Sequence, residues 1–442
     1  MHRLHVVEEV EEEEGQASTG DSSPWIKLGR DERPFWALDR ATSTPKWFHL
    51  PGRAKSLMVG LLSVGTCVGS LLGSDVAGYL GRKTALLIGC VVFTLGIVDQ
   101  IASVNMDLLG RGRFETGLGM GTISTVIILY MSEISPAPIR GFVVAFYQFC
   151  MTLGLLIAAC ANYGTRAIWN MTSFRIPISL QLVWAVALVV GLVFLPESPR
   201  WYVKMGKLEM AQVALEKLRC RPKEDDMIHA ELQNMVRNHE HEMEMVNHRK
   251  EVDSATDTYW ASWADCFRGP WRERSSNFGR TLLGSSIQMF QQVTGVNFIF
   301  YFGTAFLKEQ GFDNVFVILV AMNAVSVAST IASFYLVTKL RRRHSCVPAR
   351  RRRRGQYWRA TAGSKANNFG DMPPWHFWTI ISGIGVYLFC YATTWGPGAW
   401  VLMGEIFPLQ IRARGVGLST ATNWLWNTII CFITPVMVEK DQ

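Results

Sequence analysis

The chain has 442 residues, of which 49% are hydrophobic and only 18% are charged, a balance that argues against two or three soluble domains. Its net charge of +8 comes from blocks of Lys and Arg placed between long apolar runs. Membrane topology requires that placement, so the charge is no sign of nucleic-acid binding.

Nine apolar segments reach or approach the roughly 20 residues that are needed to cross a bilayer core. They lie at about 56–80, 84–104, 108–131, 142–163, 176–195, 281–306, 315–337, 377–403 and 416–436. Backbone groups in hydrocarbon must form hydrogen bonds within their own segment, so the sequence predicts helices and an all-α membrane protein. Glycines at four-residue spacing predict close helix packing at Gly65, Gly69, Gly73, Gly117 and Gly121.

A polar stretch separates the fifth and sixth spans. It contains helical patterns at 208–218 and 228–246, and its Lys and Arg content predicts a cytoplasmic location. His239 and His241 point about 200° apart on a helix, which favours a solvated helix face over a metal site. Most of the nine cysteines fall inside apolar runs without CxxC spacing, which indicates buried thiols. No metal or other cofactor is expected.

A repeated string reveals a duplication. MSEISPAPIR (131–140) and MGEIFPLQIR (403–412) share M-x-E-I-x-P-x-x-I-R, and each follows an apolar span directly. Two copies of so specific a string predict a duplicated helical bundle. In each copy, Glu and Arg lie seven residues apart and are candidates to pair across the ends of packed helices.

The segment QMFQQVTGVNFIFYFG (288–303) holds four carboxamides inside an apolar span: Gln288, Gln291, Gln292 and Asn297. An amide donates and accepts hydrogen bonds without a charge, so it suits the hydroxyls of a neutral sugar. Asn297 would point about 140° away from Gln292 on a regular helix. For both to reach one ligand, the helix should break near Thr294 and Gly295.

Several motifs together resemble one family. They are GYLGRK (78–83), GRF (112–114), YMSEISPAPIRG (130–141), PESPRW (196–201), QQVTGVNF (291–298), WGPGAW (395–400), GEIFPLQIRARG (404–415) and TNWLWN (422–427). In this order they resemble the sugar porters of the major facilitator superfamily, in particular fungal high-affinity glucose or monosaccharide transporters. The resemblance implies a fold of two helical bundles with twelve membrane helices, of which about nine are present.

The resemblance also implies an organisation and two sets of functional residues. An acidic tail (1–55) precedes a first bundle (56–195, family helices 2 to 6), a cytoplasmic linker (196–280) and the remnant of a second bundle (281–437, family helices 7, 8, 10 and 11) with a basic insert (338–376). The implied sugar-binding residues are Gln148, Gln291, Gln292, Asn297, Asn323, Trp400 and Asn423. The implied gating network of charges is Arg82, Lys83, Arg113, Glu133, Arg140, Glu405 and Arg412. Interhelical hydrogen bonding is the alternative interpretation of each amide.

The chain departs from the family at helices 1, 9 and 12, which are expected to be missing, and the first of these carries the proton-coupling Asp of the symporters. Gly78 stands where the motif usually has Asp, and Arg111 and Glu115 add charges that could pair at i, i+4. Counting spans from a cytoplasmic GRK loop places Arg412 and Arg414 outside, against the charge rule and the repeat. We hypothesise that 341–372 is untypical sequence, such as retained non-coding translation or gene decay.

The sequence therefore predicts a multi-pass transporter of the plasma membrane that carries a monosaccharide such as glucose, with proton-coupled uptake. A sugar sensor that does not transport and an inactive fragment are the alternatives. An enzyme is not expected, because no nucleophile–base pair, phosphate loop or metal cluster is present in the sequence. The expected partners are the sugar, protons and the lipid bilayer, and a monomer is expected. The sequon at Asn170 would lie in an external loop.

Overall fold

The structure is a computed structural model that describes residues 52–136, 138–165, 172–222, 224–253, 263–270, 276–309, 314–339, 374–408 and 411–440. The acidic tail, the insert between 340 and 373 and the asparagine of the sequon lie outside the described residues. Within these ranges the regular structure is helical. The helices are α1 Gly52–Leu80, α2 Arg82–Ala102, α3 Met106–Ile134, α4 Arg140–Thr165, α5 Thr172–Phe194, α6 Pro199–Lys204, α7 Leu208–Arg219, α8 Asp226–Asp253, α9 Asn277–Val293, α10 Val296–Glu309, α11 Val315–Lys339, α12 Pro374–Thr393, α13 Trp395–Ile406 and α14 Arg412–Lys440.

Helices cover all nine predicted spans, which confirms the all-α prediction. Six stretches in the described part are long and apolar enough to cross a membrane: Leu57–Leu80, Arg82–Ala102, Met106–Ile134, Arg140–Thr165, Phe174–Phe194 and Val315–Phe334. The other three predicted spans correspond to α9 with α10, α12 with α13, and α14.

The first bundle is built around close contacts of α3 with α1. A methyl group added to Gly65 would collide with the backbone of Phe114, and one added to Gly121 would collide with the backbone of Thr66. Only glycine allows the two backbones to approach so closely. The glycine spacing correctly predicted close helix packing at these positions, although it did not identify α3 as the partner of α1.

The predicted break in the carboxamide span is present. α9 ends at Val293 and α10 begins at Val296, and between them Gly295 adopts a φ of 84°, a conformation that glycine reaches without strain. The freed carbonyl of Thr294 accepts a hydrogen bond of 2.9 Å from the hydroxyl of Tyr387 on α12. The chain thus divides this span into two helices with separate directions.

A second break, which the sequence analysis did not predict, separates α12 from α13 at Thr394. Thr394 has φ −124° and ψ −70°, and α13 opens with Gly396 and Pro397. Proline lacks a backbone N–H and disfavours continuation of a helix through it, so the WGPGAW motif carried a usable signal.

Two seams join the first half of the chain (α1–α5) to the second half (α9–α14). In one, α1 lies along α14: Cys67 Sγ donates to Ala421 O at 3.4 Å, and a methyl group on Gly417 would lie 2.6 Å from Ser74 Cβ. In the other, α4 lies along α11, where the rings of Phe142 and Phe334 are 5.1 Å apart.

The helices place most of the predicted charges at one end of the bundle, which we call the charged end. Lys83 lies just after the start of α2 and donates from Nζ to Val193 O (3.1 Å) and Leu195 O (2.9 Å) at the end of α5. The end of α1, the start of α2 and the end of α5 therefore all lie at the charged end. The contact of Phe142 with Phe334 places the end of α11 there too.

The orientation expected from counting spans is wrong for the last helices. Arg414 Nε lies 3.4 Å from Asp75 Oδ1 near the end of α1, so α14 begins at the charged end, as the repeat demanded. On α12, Leu388 belongs to a hydrophobic cluster with Val296 and Met322 in the interior of their spans, whereas Phe407, just after α13, clusters with Val144 near the charged end. α12 and α13 therefore run toward the charged end, while α11 ends at it. The Arg414–Asp75 contact fixes the start of α14 at the charged end, whatever number of spans is counted before it.

The linker helices α6 to α8 dock on the charged end. Trp201 Nε1 donates to Gly78 O at 3.2 Å, and Arg219 bonds both to Glu231 on α8 (2.7 Å) and to Ile134 O at the end of α3 (3.1 Å). The two predicted linker helices are thus present as α7 and α8. No group of His, Cys, Asp and Glu within the described ranges has the spacing of a metal site.

Candidate functional site

The centre of the second half holds a cluster of amides, which we call the carboxamide cluster: Gln288, Gln291 and Gln292 on α9, Asn297 on α10 and Asn423 on α14. All are buried except Asn297, which is half-buried. Asn423 is the hub of the cluster. Asn423 Nδ2 donates to Gln288 Oε1 (2.7 Å) and Gln291 Oε1 (2.9 Å), and Asn423 Oδ1 accepts from Gln292 Nε2 (2.7 Å). Because Asn423 is 2% exposed, these bonds lie away from bulk water.

The break between α9 and α10 brings Asn297 into the cluster. Asn297 Nδ2 donates to Gln292 Oε1, although the two residues would point in different directions on one continuous helix. Gln292 therefore bonds to α10 through its oxygen and to α14 through its nitrogen. The sequence predicted that a break would let both amides face one place, and the structure has this geometry.

The remaining donors of the cluster face α13. Gln291 Nε2 lies 3.3 Å from both the Trp395 and Gly396 carbonyl oxygens, and Gln288 Nε2 lies 2.8 Å from Met403 Sδ. Both carbonyls belong to the first turn of α13, directly after the break at Thr394. Both broken spans thus contribute to one polar centre.

Gln148 and Trp400 bring α4 of the first half close to this centre. A methyl group on Gly396 would lie 3.3 Å from Gln148 Cδ, so Gln148 contacts the same turn that accepts from Gln291. The Trp400 ring is 4% exposed and meets the Tyr147 ring edge-on at 5.4 Å between centroids. These two predicted residues therefore lie at the boundary between the halves.

Asn323 lies apart from the carboxamide cluster. Its Nδ2 donates to Leu319 O at 2.8 Å, while its buried Oδ1 has no hydrogen-bond partner among the described residues. Asn323 lines a cavity of about 280 Å³ that α4, α10, α11 and α12 enclose. The structure thus does not bring this predicted residue into bonding contact with the other amides.

A buried ion pair closes the charged end of the first half. Arg82 Nη2 lies 2.8 Å from Glu133 Oε1, with side-chain exposures of 8% and 2%. The second oxygen of Glu133 accepts from Ser198 Oγ at 2.5 Å, and Arg412 from the second half is close enough to interact electrostatically. The prediction that Glu133 pairs with Arg140 of its own motif copy is wrong. Its partner is Arg82, which the start of α2 places next to it.

The other predicted charges are distributed around this pair. Arg140 has a buried Nε without a hydrogen-bond partner among the described residues, Arg412 Nε donates to Phe407 O at 3.2 Å, and Glu405 is exposed. Arg113 does not belong to this group. It lies 20 positions before Glu133 on α3, about 30 Å along the helix axis. Its inclusion in the charged-end network is corrected on that ground.

Two acidic residues at the charged end were missed by the sequence analysis. Glu197 accepts the backbone N–H groups of Arg82 (2.9 Å) and Lys83 (3.0 Å), so it caps α2 from the linker. Asp75 pairs with Arg414, as described above. Glu197 lies inside the PESPRW motif, and Asp75 lies one turn before Gly78 of the GYLGRK motif. Their position in or beside these motifs was the signal that could have identified them.

The segment that leads into α9 closes over the same end. Arg414 Cζ lies 5.7 Å from the centre of the Trp263 ring, and Cys266 is fully buried in a cluster with Val144 of the first half and Phe407 of the second. Burial raises the pKa of the Cys266 thiol to about 11. Cys266 is therefore a neutral, protected thiol where the halves meet.

The exposed charges predicted on α3 do pair. Arg111 Nε lies 3.2 Å from Glu115 Oε1 on the next turn, and Arg111 Nη2 lies 2.8 Å from Asp99 Oδ2 on α2. This group lies far from the charged end.

Comparisons with known proteins give one consistent family. Residues 37–442 match the family model described as "Sugar (and other) transporter". Similar curated proteins include the major facilitator-type transporter ecdD of Aspergillus rugulosus (35% identity, 92% of this chain, 73% of the relative) and the probable glucose transporter rco-3 of Neurospora crassa (36%, 87% and 62%). A galactose transporter of Saccharomyces cerevisiae is 33% identical over 88% of this chain and 66% of the relative. The chain thus spans less than two thirds of the length of two of these three.

Solved structures give the same fold. The proton:xylose symporter XylE bound to 6-bromo-6-deoxy-D-glucose superposes with a TM-score of 0.72 at 22% identity, over 87% of this chain and 79% of that chain. A partially occluded inward-open structure of XylE from E. coli gives a TM-score of 0.68. At this identity the comparison establishes the arrangement of helices.

Proposed function

The chain belongs to the sugar transporter family and is a multi-pass membrane protein, and we propose that it carries a neutral monosaccharide, a hexose such as glucose, by alternating access. The single observation that carries the proposal is the carboxamide cluster at the meeting point of two broken helical spans. Five amides lie there within hydrogen-bonding distance of one another, at a depth where a lone polar group is costly.

The chemistry of the cluster suits a polyol. Each amide both donates and accepts, as a sugar hydroxyl does, and no described charged side chain hydrogen-bonds to the cluster. Trp400 and Gln148 supply an aromatic ring and a further amide from the boundary between the halves. A charged substrate would find no counter-ion among these residues, so the proposal specifies a neutral ligand.

The charged end supplies the gate in this proposal. The Arg82–Glu133 pair and the Asp75–Arg414 pair close that end, and Asp75–Arg414 joins the two halves directly. Because Lys and Arg favour the cytoplasmic side, we place the charged end in the cytoplasm. The proposal also puts the protein in the plasma membrane, as a monomer. Rocking of the halves would break the Asp75–Arg414 pair, separate Arg412 from Glu133 and open the site inward.

Proton coupling belongs to the same proposal. Its support is the shared fold with XylE, a proton:xylose symporter. Glucose-induced alkalinisation of the medium by expressing cells would be the expected result. Uptake that does not respond to the pH gradient would identify uncoupled transport.

The substrate is tested by uptake of labelled glucose in a cell that lacks hexose transport. We expect Gln291→Ala to abolish uptake at normal expression. Gln100→Ala is the matched control, because Gln100 is an equally buried amide on α2 whose Nε2 donates to Thr116 Oγ1 at 2.6 Å, away from the cluster. Equal losses in both variants would show that the amide has only a structural role.

The same experiment separates the alternatives. Binding of glucose without uptake would indicate a sensor. A protein that expresses and folds but neither binds nor carries any hexose would overturn the proposal and leave an inactive fragment.

A further inference from the structure

The two seams between the halves are held by different chemistry at the charged end. In the α1–α14 seam, Nε of Arg414 lies 3.4 Å from a carboxylate oxygen of Asp75. In the α4–α11 seam, each helix carries one charged residue, Arg140 on α4 and Lys339 on α11, and both are positive. Because like charges form no ion pair, an uncharged contact has to hold α4 and α11 together at this end.

The middle of the α4–α11 seam contributes little to that contact. α11 carries a row of small hydroxyl side chains there, each at most 2% exposed: Ser326, Ser329, Thr330 and Ser333. The three serine hydroxyls donate to carbonyl oxygens of α11 itself, at 3.1, 2.5 and 2.6 Å. Thr330 Oγ1 lies 3.4 Å from Thr152 Oγ1 on α4, but it also donates to its own helix at 2.8 Å. Since these hydroxyls find acceptors within α11, they add little to the attraction between the helices.

One turn closer to the charged end, Phe334 of α11 sits among three phenyl rings of α4, which we call the phenyl cage. Its ring centre lies 5.1 Å from that of Phe142, 6.3 Å from that of Phe146 and 5.8 Å from that of Phe149. The cage rings belong to successive turns of α4, and those of Phe146 and Phe149 lie 5.5 Å apart. Phe334 therefore fills the space between turns of the other helix, and separation of α4 from α11 at this end has to withdraw its ring.

Packing, more than removal from water, gives this contact its strength. Phe142 and Phe146 are 43% and 44% exposed on the outside of the bundle, where lipid would surround them. Lipid chains are as apolar as phenyl rings, so burial alone contributes little there, whereas the ring–ring contacts still contribute. Phe334 also packs against the buried cluster that contains Val144, Cys266 and Phe407. Withdrawal of its ring would therefore loosen the place where the two halves meet.

We propose that Phe334 is a positioning residue, an uncharged latch that keeps the α4–α11 seam closed at the charged end. The proposal rests on the proposed function, because it concerns the end that opens inward when a substrate is released. The latch acts beside the Asp75–Arg414 pair and does not depend on it. Salt weakens that partly exposed ion pair but leaves the ring contacts in place, so one seam stays closed when the other is screened.

The experiment measures how fast a maleimide labels Cys266 in purified full-length protein that keeps Cys266 as its single cysteine. Phe142→Ala is the main variant, because Phe142 belongs to the cage but not to the buried cluster around Cys266. Removing one ring pair should raise the rate about two- to tenfold, and Phe334→Ala, which removes all three pairs, should raise it about tenfold or more. Phe93→Ala is the matched control, since Phe93 is a half-buried ring on α2, within the first half. Its rate should equal that of the parent protein.

Two comparisons separate a latch from a general loss of packing. The double variant Phe142→Ala/Phe334→Ala should label no faster than Phe334→Ala, because the Phe142 ring reaches α11 through Phe334. Rates that multiply would show two independent defects and overturn the latch. In about 1 M sodium chloride, where the Debye length is about 3 Å, the rate of Phe142→Ala relative to the parent should stay the same, whereas that of Asp75→Asn should fall toward the parent. A ratio for Phe142→Ala that falls with salt would overturn an uncharged latch.

The result for the latch is independent of the substrate. Equal rates in Phe142→Ala, Phe93→Ala and the parent protein overturn the latch, whether or not glucose is carried. A raised rate in Phe142→Ala, when the parent protein neither binds nor carries glucose, supports the latch and refutes the proposed substrate.

Discussion

The buried ion pair at the charged end gives the sharpest quantitative test. Replacing Glu133 by Gln keeps the size of the side chain but removes the negative charge 2.8 Å from Arg82, which is almost fully buried. It also removes a negative charge that interacts with Arg412. Breaking one partner of a buried pair typically costs about 3–5 kcal/mol, because the other charge stays uncompensated. The closed state bears this cost, since opening the charged end would return Arg82 to water.

An energy of this size changes the population of the closed state strongly. At about 1.4 kcal/mol for each factor of ten, it favours the open charged end by roughly a hundredfold to a few thousandfold. Cys266 reports the change, because it is fully buried where Val144 and Phe407 meet. We therefore expect a small thiol reagent to label Cys266 faster in Glu133→Gln than in the parent protein, each with Cys266 as its single cysteine. The labelling rate should approach that of a protein whose charged end is open in nearly all molecules.

Glu115→Gln is the matched control. It makes the same substitution on the same helix, but its partner Arg111 has a side chain that is 64% exposed. Surface pairs contribute roughly 0–1 kcal/mol, so labelling should stay near the parent rate. If Glu133→Gln and Glu115→Gln label Cys266 equally slowly, the ion pair does not hold the charged end closed.

Two further predictions concern packing and protonation. Gly121→Leu should prevent α1 from packing against α3, because even a methyl group there collides with the backbone of Thr66, and a fully folded variant in size-exclusion chromatography would contradict the contact. Burial raises the Cys266 pKa to about 11, so thiol reactivity in the native protein should increase only as pH approaches that value. In Glu133→Gln the reactivity profile should move toward the ordinary pKa near 9, and an unchanged profile would refute exposure of the thiol.

Much of the fold followed from local physics in the sequence. Length and apolarity predicted each span, and the spacing of glycines predicted close packing on α1 and on α3, because both signals depend on residues close in the chain. The break at Gly295 was predictable from the amides that it must orient. The break at Thr394 was not, although Pro397 nearby carries the same physical signal.

Contacts between distant segments were harder to predict. The sequence grouped the amides by motif, and the structure joins Asn423 to three glutamines of α9 but leaves Asn323 beside a separate cavity. It paired Glu133 with Arg140 of its own motif copy, whereas folding brings in Arg82. The choice among several possible partners depends on tertiary packing, which no local spacing encodes.

The saturated bonding of Asn423 bears on affinity. Its two amide protons and its oxygen are already engaged with three neighbouring side chains, so in the proposed function an arriving hexose would exchange one set of hydrogen bonds for another. Only the difference between the two sets, with each bond worth about 0.5–1.5 kcal/mol net, contributes to binding. The proposed site would therefore bind its substrate weakly, and weak binding would allow the substrate to dissociate on the far side of the membrane.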